Sequence, residues 1–264
     1  MTLDDTDAAE NGGSTKPTPT GAEAARESLR ARATRSPLQR RVETLLERTQ
    51  YRIASTEAEL DAVFRQRHDE YVAAGNLARQ VEPLLYDDND HGRATRVYTA
   101  WVDGVLAGSI RLSILRGASR EGLTVGCWPE VVEPMLDDGL TIVDPNRLTT
   151  AHRLSRTEPA LVFAVLRLAT MAARFYGAVH CLTPIRSHHG AFYRRFLHAT
   201  RIGPARTFPG TAARMELYSV HVPTAVRRAD GGNPFLLELP GESAALFPSA
   251  AELGLAGEAV AATG

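Results

Sequence analysis

Apolar positions in the central part of the chain follow the spacings of strands and helices in turn. Short apolar or alternating runs, typical of strands, occur at 51–54, 95–102, 105–114, 140–148, 178–184 and 215–222. Helical spacing of apolar residues occurs after Ser55, at 129–135, from 155 to Gly177 and at 187–197. This order predicts an α/β (α+β) fold in which helices flank one central, mixed and twisted sheet.

Two local signals mark the ends of elements. Asp103-Gly104, between two strand patterns, predicts a tight hairpin. Ser155 and Glu158 have the spacing of a capping box, with Pro159 in the first turn. They predict the start of a helix that Gly177 ends.

The flanks of this region differ in composition. Residues 1–21 are rich in Asp, Gly, Thr and Pro and are predicted to form a disordered tail. Residues 22–50 are a predicted arginine-rich helical extension that caps the core, packs on a partner or stays mobile. The predicted folded domain is 51–225. It is followed at 226–264 by a tail rich in Ala, Gly and Pro, whose few apolar residues could dock on the domain.

Composition excludes several classes of protein. The 264 residues are 44% hydrophobic, which is enough to form a core. The net charge of −1 gives no overall electric field that would attract nucleic acid. Two cysteines predict no disulfide framework, and the sequence has no convincing set of metal ligands. An acidic N-terminus without an apolar stretch, and no apolar run long enough to span a membrane, predict a cytoplasmic protein.

The strand pattern at 140–148 contains Asp144-Pro145-Asn146-Arg147. A proline cannot donate to a sheet ladder, so a strand that contains one is usually bulged or splayed there. Such a bulge would present a carboxylate, an amide and a guanidinium together, which indicates a site. The alternative is that Asp-Pro-Asn is the turn that ends the strand.

Three further motifs precede this segment. They are Arg67-His68-Asp69-Glu70-Tyr71, the acidic pair Asp87 and Asp90, and Gly108-Ser109-Ile110-Arg111-Leu112. With 144–147, and in this order, they resemble the GNAT acyltransferase fold, and within it the acyl-homoserine-lactone synthases and the related N-acyl amino acid synthases. Asp144 stands where that family has glutamate, and Asn146 where it has serine. Residues 71–85 lack the tryptophan of the lactone synthases.

The resemblance implies acyl transfer from a thioester to an amine. Asp144 would deprotonate the amine through a water, since an aspartate of ordinary pKa is a weak base unless burial or Asn146 changes its pKa. Pro145 has no N–H, so Asn146 or Leu148 is expected to supply the oxyanion donor. Tyr193 resembles the tyrosine that protonates the leaving thiolate, with packing in the core as the alternative.

The same resemblance assigns Arg67, Asp87, Asp90, Arg111 and Arg147 to substrate binding. The two aspartates either contact the acceptor amine or hold Arg67 and Arg111 in a buried ion network. A network is reasonable because a buried arginine without an acid is costly.

The absence of one motif bears on the identity of the acyl donor. Many GNAT enzymes hold the pyrophosphate of coenzyme A on a glycine-rich loop before a long helix, and residues 150–157 contain no glycine. This favours acyl carrier protein as the partner, with acyl-ACP, or else acyl-CoA, as co-substrate and no tightly bound cofactor. His152, Arg153 and Arg156 would then suit an acidic partner or the single phosphodiester; the alternative is a solvated loop.

The predicted function is therefore an N-acyltransferase that joins a fatty acyl group to a small amine, in particular an amino acid. One alternative is an acyl-homoserine-lactone synthase that uses S-adenosylmethionine, against which the missing tryptophan argues. The other is a non-catalytic domain that binds an acyl ligand or a partner. That reading would be favoured if Asp144 pointed into the core and no tunnel reached the bulge.

Overall fold

The structure, a computed structural model, describes residues 35–78, 80, 82–228, 233–236 and 238–255. The predicted tail 1–21 and the first part of the helical extension lie outside the described residues, as do residues 256–264. None of the helices in the described part of the chain is long and apolar enough to cross a membrane.

The centre of the fold is one sheet of eight strands, in the order β1-β2-β3-β4-β5-β8-β6, with β7 paired to β8. The strands are β1 (Thr49–Ile53), β2 (Thr95–Val102), β3 (Val105–Leu115), β4 (Ile142–Thr150), β5 (His180–Ile185), β6 (Thr200–Arg201), β7 (Arg206–Thr207) and β8 (Arg214–His221). All neighbours are antiparallel except β4 and β5, which are parallel. The sheet is therefore mixed, as predicted.

Helices cover both faces of the sheet. They are α1 (Pro37–Leu46), α2 (Glu57–Ala73), α3 (Leu123–Cys127), α4 (Pro129–Asp137), α5 (His152–Ser155), α6 (Leu161–Phe175), α7 (Gly190–Leu197), α8 (Val222–Arg228) and α9 (Glu242–Leu246). Short 3-10 turns occur at Asp88–His91, Ser187–His189 and Pro234–Leu236.

Alternation along β3 separates the two faces. Ile110 and Leu112 belong to the core that α6 covers. Arg111 and Ser113, one residue away in each case, point to the opposite face because side chains alternate along a strand. On that opposite face, α3 and α4 bury a second cluster around Trp128. The face opposite α6 therefore carries a polar layer at the centre of the sheet.

Two predictions from local sequence signals, the hairpin and one helix start, can be compared with the structure. The β2–β3 turn has Asp103 at φ 49° and Gly104 at φ 79°, which confirms the predicted hairpin. The capping box predicted at Ser155 and Glu158 is wrong. The Ser155 hydroxyl donates back to the carbonyl oxygen of Ala151, the residue before α5, and α6 begins only at Leu161. The residue before a proline disfavours helical backbone, so the helix cannot start through 158–159.

Both flanks of the predicted domain contribute to the α6 core. Val42 and Leu45 of α1 are buried there, as are Phe235 and Phe247 after α8. Glu242 forms an ion pair with the buried Arg167 of α6. A compact unit begins at Pro37, and the predicted boundary at 225 falls inside α8. From Pro37 onward, the described parts of both flanks thus belong to the same unit as the sheet.

Gly108 allows α6 to lie directly on β3. A Cβ at this position would be 2.6 Å from Thr149 O and 2.8 Å from Val165 Cγ2, both in fixed surroundings. We expect Gly108→Ala to lower the free energy of unfolding by about 1–3 kcal/mol through overpacking, measured by urea denaturation. Gly126→Ala is the matched control, since a Cβ there meets nothing within 4 Å; equal losses in both variants would contradict the packing argument.

Candidate active site

The central feature of the site is a gap between β4 and β5. The two strands pair only at Ile142 with His180 and at Val143 with Cys181. Beyond that point β4 follows β3 and β5 follows β8, so the strands separate from Asp144 onward. The predicted splay is present, and the alternative of a turn ending the strand is wrong because β4 continues to Thr150.

The bulge lies at Arg147, two residues after Pro145. Pro145 is still in register with Leu112, whereas the pairing with β3 shifts between Asn146 and Thr149. Arg147 has φ 53°, a left-handed backbone that a non-glycine residue seldom adopts. The extra residue lets Asn146 and Arg147 both reach the face opposite α6, where Arg147 contacts Asp87.

A cavity of about 200 Å³ occupies the gap. It is lined by residues 145–148 of β4, by 183–186 of β5 and its end, and by Tyr193 of α7. Leu166 and Ile110 line it on the α6 face. On the other face it is lined by Asn76, Phe208 and Met215. The cavity thus passes through the sheet from one face to the other.

Asp144 directly precedes Pro145, which lines this cavity, but Asp144 is not part of the lining. Its side chain is fully buried, and the Thr124 hydroxyl donates to Oδ1 at 2.5 Å. Burial raises the pKa of Asp144 to about 6, against the opposing effects of the Thr124 hydrogen bond and the Arg111 charge. The carboxylate is therefore a stronger base than an ordinary aspartate, and a proton from the cavity can reach it only through an intervening group such as a water.

The acidic pair is positioned by its own turn. Asp87 Oδ1 accepts from Asn89 N at 3.0 Å, and Asp90 Oδ2 accepts from Asp87 N at 3.0 Å. This reciprocal capping of the 3-10 turn Asp88–His91 fixes both carboxylates at its start. The D-x-x-D spacing thus allows a local turn to hold both carboxylates in a position where they face the sheet.

These two acids join three arginines in a buried network. Arg67 Nη1 is 2.7 Å from Asp90 Oδ1, and Arg111 Nη1 is 2.7 Å from Asp87 Oδ1 and 3.0 Å from Asp90 Oδ2. Arg147 Nη2 is 2.7 Å from Asp87 Oδ2. The structure therefore brings together all five residues that the sequence assigned to substrate binding.

Burial and charge act in opposite directions in this network. Burial by itself would raise the pKa of Asp87, but the charge of Arg111 and the hydrogen bonds from Arg147 and Arg111 hold it well below its usual range. Burial lowers the pKa of Arg67, and Asp90 opposes that change. Each charged group here depends on its neighbours for stability.

Tyr193 lines the cavity and also packs in the core. Its ring is 5.4 Å from that of Phe192, centroid to centroid. Burial raises the pKa of Tyr193 above its ordinary value, so the phenol is neutral and can donate a proton. Core packing and proton donation, given as alternatives above, are compatible in this position.

The three cationic residues predicted to meet the acyl donor lie apart from the cavity. His152, Arg153 and Arg156 are exposed, at α5 and just after it, between the end of β4 and the start of α6. His152 N donates to Glu70 Oε1 at 2.9 Å, which ties this segment to α2. They form a surface next to the site rather than part of its lining.

Comparison with known proteins decides the family. The model of the N-acyl amino acid synthase FeeM family matches residues 62–221, more than half of the chain. The chain belongs to this family. The predicted resemblance to the N-acyl amino acid synthases is confirmed, and the protein is an N-acyltransferase rather than a non-catalytic domain.

Two solved structures have a similar fold. FeeM, an N-acyl amino acid synthase from uncultured soil microbes, is 20% identical with a TM-score of 0.57, over 69% of this chain and 94% of its own. The AHL synthase LasI is 14% identical with a TM-score of 0.53, over 72% of this chain and 98% of its own. Both confirm the predicted GNAT-like acyltransferase fold. No curated protein matches the sequence.

Sequence reasoning missed several cavity residues of this N-acyl amino acid synthase family member. Thr183, Arg186, His189 and Asn76 line the cavity, but the β5 pattern reads as an ordinary buried strand. For Thr183, Arg186 and His189, the signal that could have found them is Pro184, a second proline within a strand, at the same gap as Pro145.

Proposed function

We propose that this protein transfers a fatty acyl group from the phosphopantetheine thioester of acyl carrier protein to the amine of an amino acid. The observation that carries the proposal is the cavity through the β4–β5 gap. It has the neutral phenol of Tyr193 in its lining, and Asp144, with its raised-pKa carboxylate, directly precedes the lining residue Pro145. Thioester aminolysis requires an acid for the leaving thiolate and a base for the amine, and a water can link the cavity to Asp144.

The proposed reaction proceeds in one addition and one elimination. The acceptor ammonium loses a proton through a water to Asp144, and the free amine forms a bond to the thioester carbonyl carbon. A backbone N–H of the splayed strand, at Asn146 or Leu148, stabilises the oxyanion, since Pro145 has none to offer. The C–S bond then breaks, and Tyr193 gives a proton to the leaving thiolate. The nitrogen of the intermediate loses its second proton, which a water carries to the Tyr193 phenolate, so that a neutral amide and a neutral phenol remain.

The choice of donor is supported by the segment before α6. It has no glycine-rich turn to hold a pyrophosphate, and it exposes His152, Arg153 and Arg156. Exposed cations suit the acidic surface of a carrier protein and the single phosphodiester of its phosphopantetheine.

The test is a direct comparison of donors and acceptors. The purified protein is incubated with one acyl group carried by acyl carrier protein or by CoA, and with pooled amino acids or S-adenosylmethionine. We expect N-acyl amino acids by mass spectrometry, with kcat/KM for the carrier-protein donor at least about tenfold higher than for CoA. Equal kcat/KM with acyl-CoA would contradict the proposed carrier-protein donor. Formation of acyl-homoserine lactone from S-adenosylmethionine would contradict the proposed amino acid acceptor.

A charge reversal separates docking from chemistry in this assay. Arg153→Glu with Arg156→Glu should raise KM for acyl carrier protein thioester and leave KM for acyl-CoA unchanged, because only the protein donor contacts that surface. Arg65→Glu, an exposed arginine on α2, is the matched control and should change neither. Equal effects of the double variant on both donors would show that these arginines do not recognise the carrier protein.

A further inference from the structure

The cavity has two chemically different ends. On the α6 side its lining includes Tyr193 and the apolar Leu148 and Leu166, which belong to the α6 core or pack against it. On the opposite side it includes Asn146 and Arg147, together with Asn76 at the end of α2. In the proposed function the thiolate is protonated at the Tyr193 end, so the acceptor enters from the polar end.

Three polar atoms at the acceptor end are buried without a hydrogen-bond partner in the described structure. They are Asn146 Nδ2, Arg147 Nη1 and Asn76 Oδ1. Asn146 and Arg147 are 5% and 4% exposed. Leaving a buried donor unpaired costs about 1–3 kcal/mol, and more when the group is charged, so such a pair indicates a missing ligand.

The buried arginines at the acceptor end favour binding of an anion. Arg67, Arg111 and Arg147 share two carboxylates, those of Asp87 and Asp90. Asp144 lies on the same face, but in the described structure its Oδ1 accepts from Thr124 and its Oδ2 has no partner, so none of the three arginines donates a hydrogen bond to it. The Arg147 Nη1 atom therefore has no acid of its own.

Arg147 is also held rigidly in place. Its Nε and Nη2 both donate to Asp87 Oδ2, at 3.2 and 2.7 Å. Behind it, Gly210 at φ 70° brings the backbone so close that a Cβ would be 2.6 Å from Nη2. A guanidinium fixed in this way presents its remaining N–H groups in one direction, which lowers the entropy cost of binding a planar anion.

We propose that Arg147 Nη1 and Asn146 Nδ2 bind the α-carboxylate of the acceptor, so that the enzyme selects amines that carry a free carboxylate. Asn76 Oδ1, an acceptor, suits an N–H of the same molecule. This inference rests on the proposed acyl transfer to an amine. The shared chemistry is an α-amino carboxylate, which free amino acids and S-adenosylmethionine both contain.

The first test needs no variant. Each accepted amino acid is compared with its primary carboxamide, which has the same shape and amine but no negative charge. We expect kcat/KM for the acid to exceed that for the amide by roughly 100-fold or more, because a charge-assisted pair is lost and the guanidinium stays buried. Equal kcat/KM for acid and amide would overturn the proposal.

Two variants separate the carboxylate anchor from other roles. Arg147→Lys should reduce the acid-to-amide ratio at least about tenfold, since lysine cannot reproduce the fork that serves Asp87 and the ligand together. Asn76→Ala is the comparison, and it should raise KM for acid and amide alike and keep the ratio. An unchanged ratio in folded Arg147→Lys would exclude the anchor.

A binding experiment without donor distinguishes this proposal from the proposed function. Saturation-transfer NMR is performed with free amino acids, their amides and S-adenosylmethionine, using wild type and Arg147→Lys. Arg147-dependent binding of acids without any acyl transfer would support the anchor and contradict the proposed function. Acyl transfer without preference for acids would contradict the anchor and leave the function. Binding of S-adenosylmethionine alone would identify it as the source of the carboxylate.

Discussion

Replacing Asp144 with asparagine is expected to lower kcat by roughly 100-fold or more while the protein stays folded, because general-base catalysis typically contributes that much. Asparagine has nearly the same shape and keeps an oxygen to accept the 2.5 Å bond from Thr124. It cannot take a proton from the amine. The measurements are single-turnover acyl transfer and the free energy of unfolding of the variant.

The pH dependence gives an independent readout of this role. Since burial raises the pKa of Asp144 to about 6, activity of the wild type should rise with pH through that value. Thr124→Val removes a hydrogen bond that lowers the pKa, so the acidic limb should move to higher pH. Full activity in folded Asp144→Asn, or a pH profile that Thr124→Val leaves in place, would show that Asp144 has a packing role.

The same raised pKa affects stability. Between the unfolded pKa near 4 and the folded pKa of about 6, the folded protein binds more protons than the unfolded chain. The free energy of unfolding should therefore fall as pH rises through this window, by up to about 3 kcal/mol from this group. Asp144→Asn should remove that dependence, and urea denaturation at several pH values measures it.

Replacing Arg111 with methionine is expected to cost about 3–5 kcal/mol of unfolding free energy and to abolish activity, because it leaves buried carboxylates without their shared cation. Arg111 is 1% exposed, and its Nη1 contacts both Asp87 and Asp90. Urea denaturation measures the loss. If the variant does not fold, Arg111→Lys, which keeps a charge, should fold with an intermediate loss.

The control for Arg111 is the same substitution at an exposed ion pair. Arg120 contacts Asp137, and their side chains are 40% and 65% exposed. Arg120→Met should therefore change the free energy of unfolding by less than about 1 kcal/mol. Similar losses of unfolding free energy in the two variants would show that burial of the Arg111 network does not explain its contribution to stability.

Acid should weaken the wild type through this network. The pKa of Asp87 is held below its usual range in the folded protein, so its contribution is complete above the unfolded pKa near 4 and is lost as pH falls below it. Arg111→Met should show a smaller loss of stability in that acidic range, since Asp87 then lacks one of its two cations.

Elements with strong local signals were predictable from the sequence. Asp103-Gly104 favours the two positive φ angles of the β2–β3 turn regardless of the rest of the chain. The capping box at Ser155 failed because Pro159 opposes helical backbone at Glu158, and the Ser155 hydroxyl finds a partner in the preceding turn. Competition between two local signals cannot be settled without the packing around them.

The residues of the candidate site also divide into those that the sequence could predict and those that it could not. The resemblance carried by Arg67, Asp87, Asp90, Arg111 and Arg147 found the ion network. Asn76 was missed because nothing near it in sequence places it at a gap in the sheet. The bulge was expected at Pro145 and lies at Arg147, because register depends on the partner strand.

The sequence by itself determined the order of strands and helices, the hairpin and the motifs that resemble the family, because each depends on residues close together in the chain. Only the tertiary structure decided where β4 and β5 separate, that Asp144 is fully buried with a raised pKa, and that Asn146 and Arg147 face a cavity with unpaired donors. Burial, pKa and strand register are set by groups distant in sequence, and those distances exist only in the folded chain.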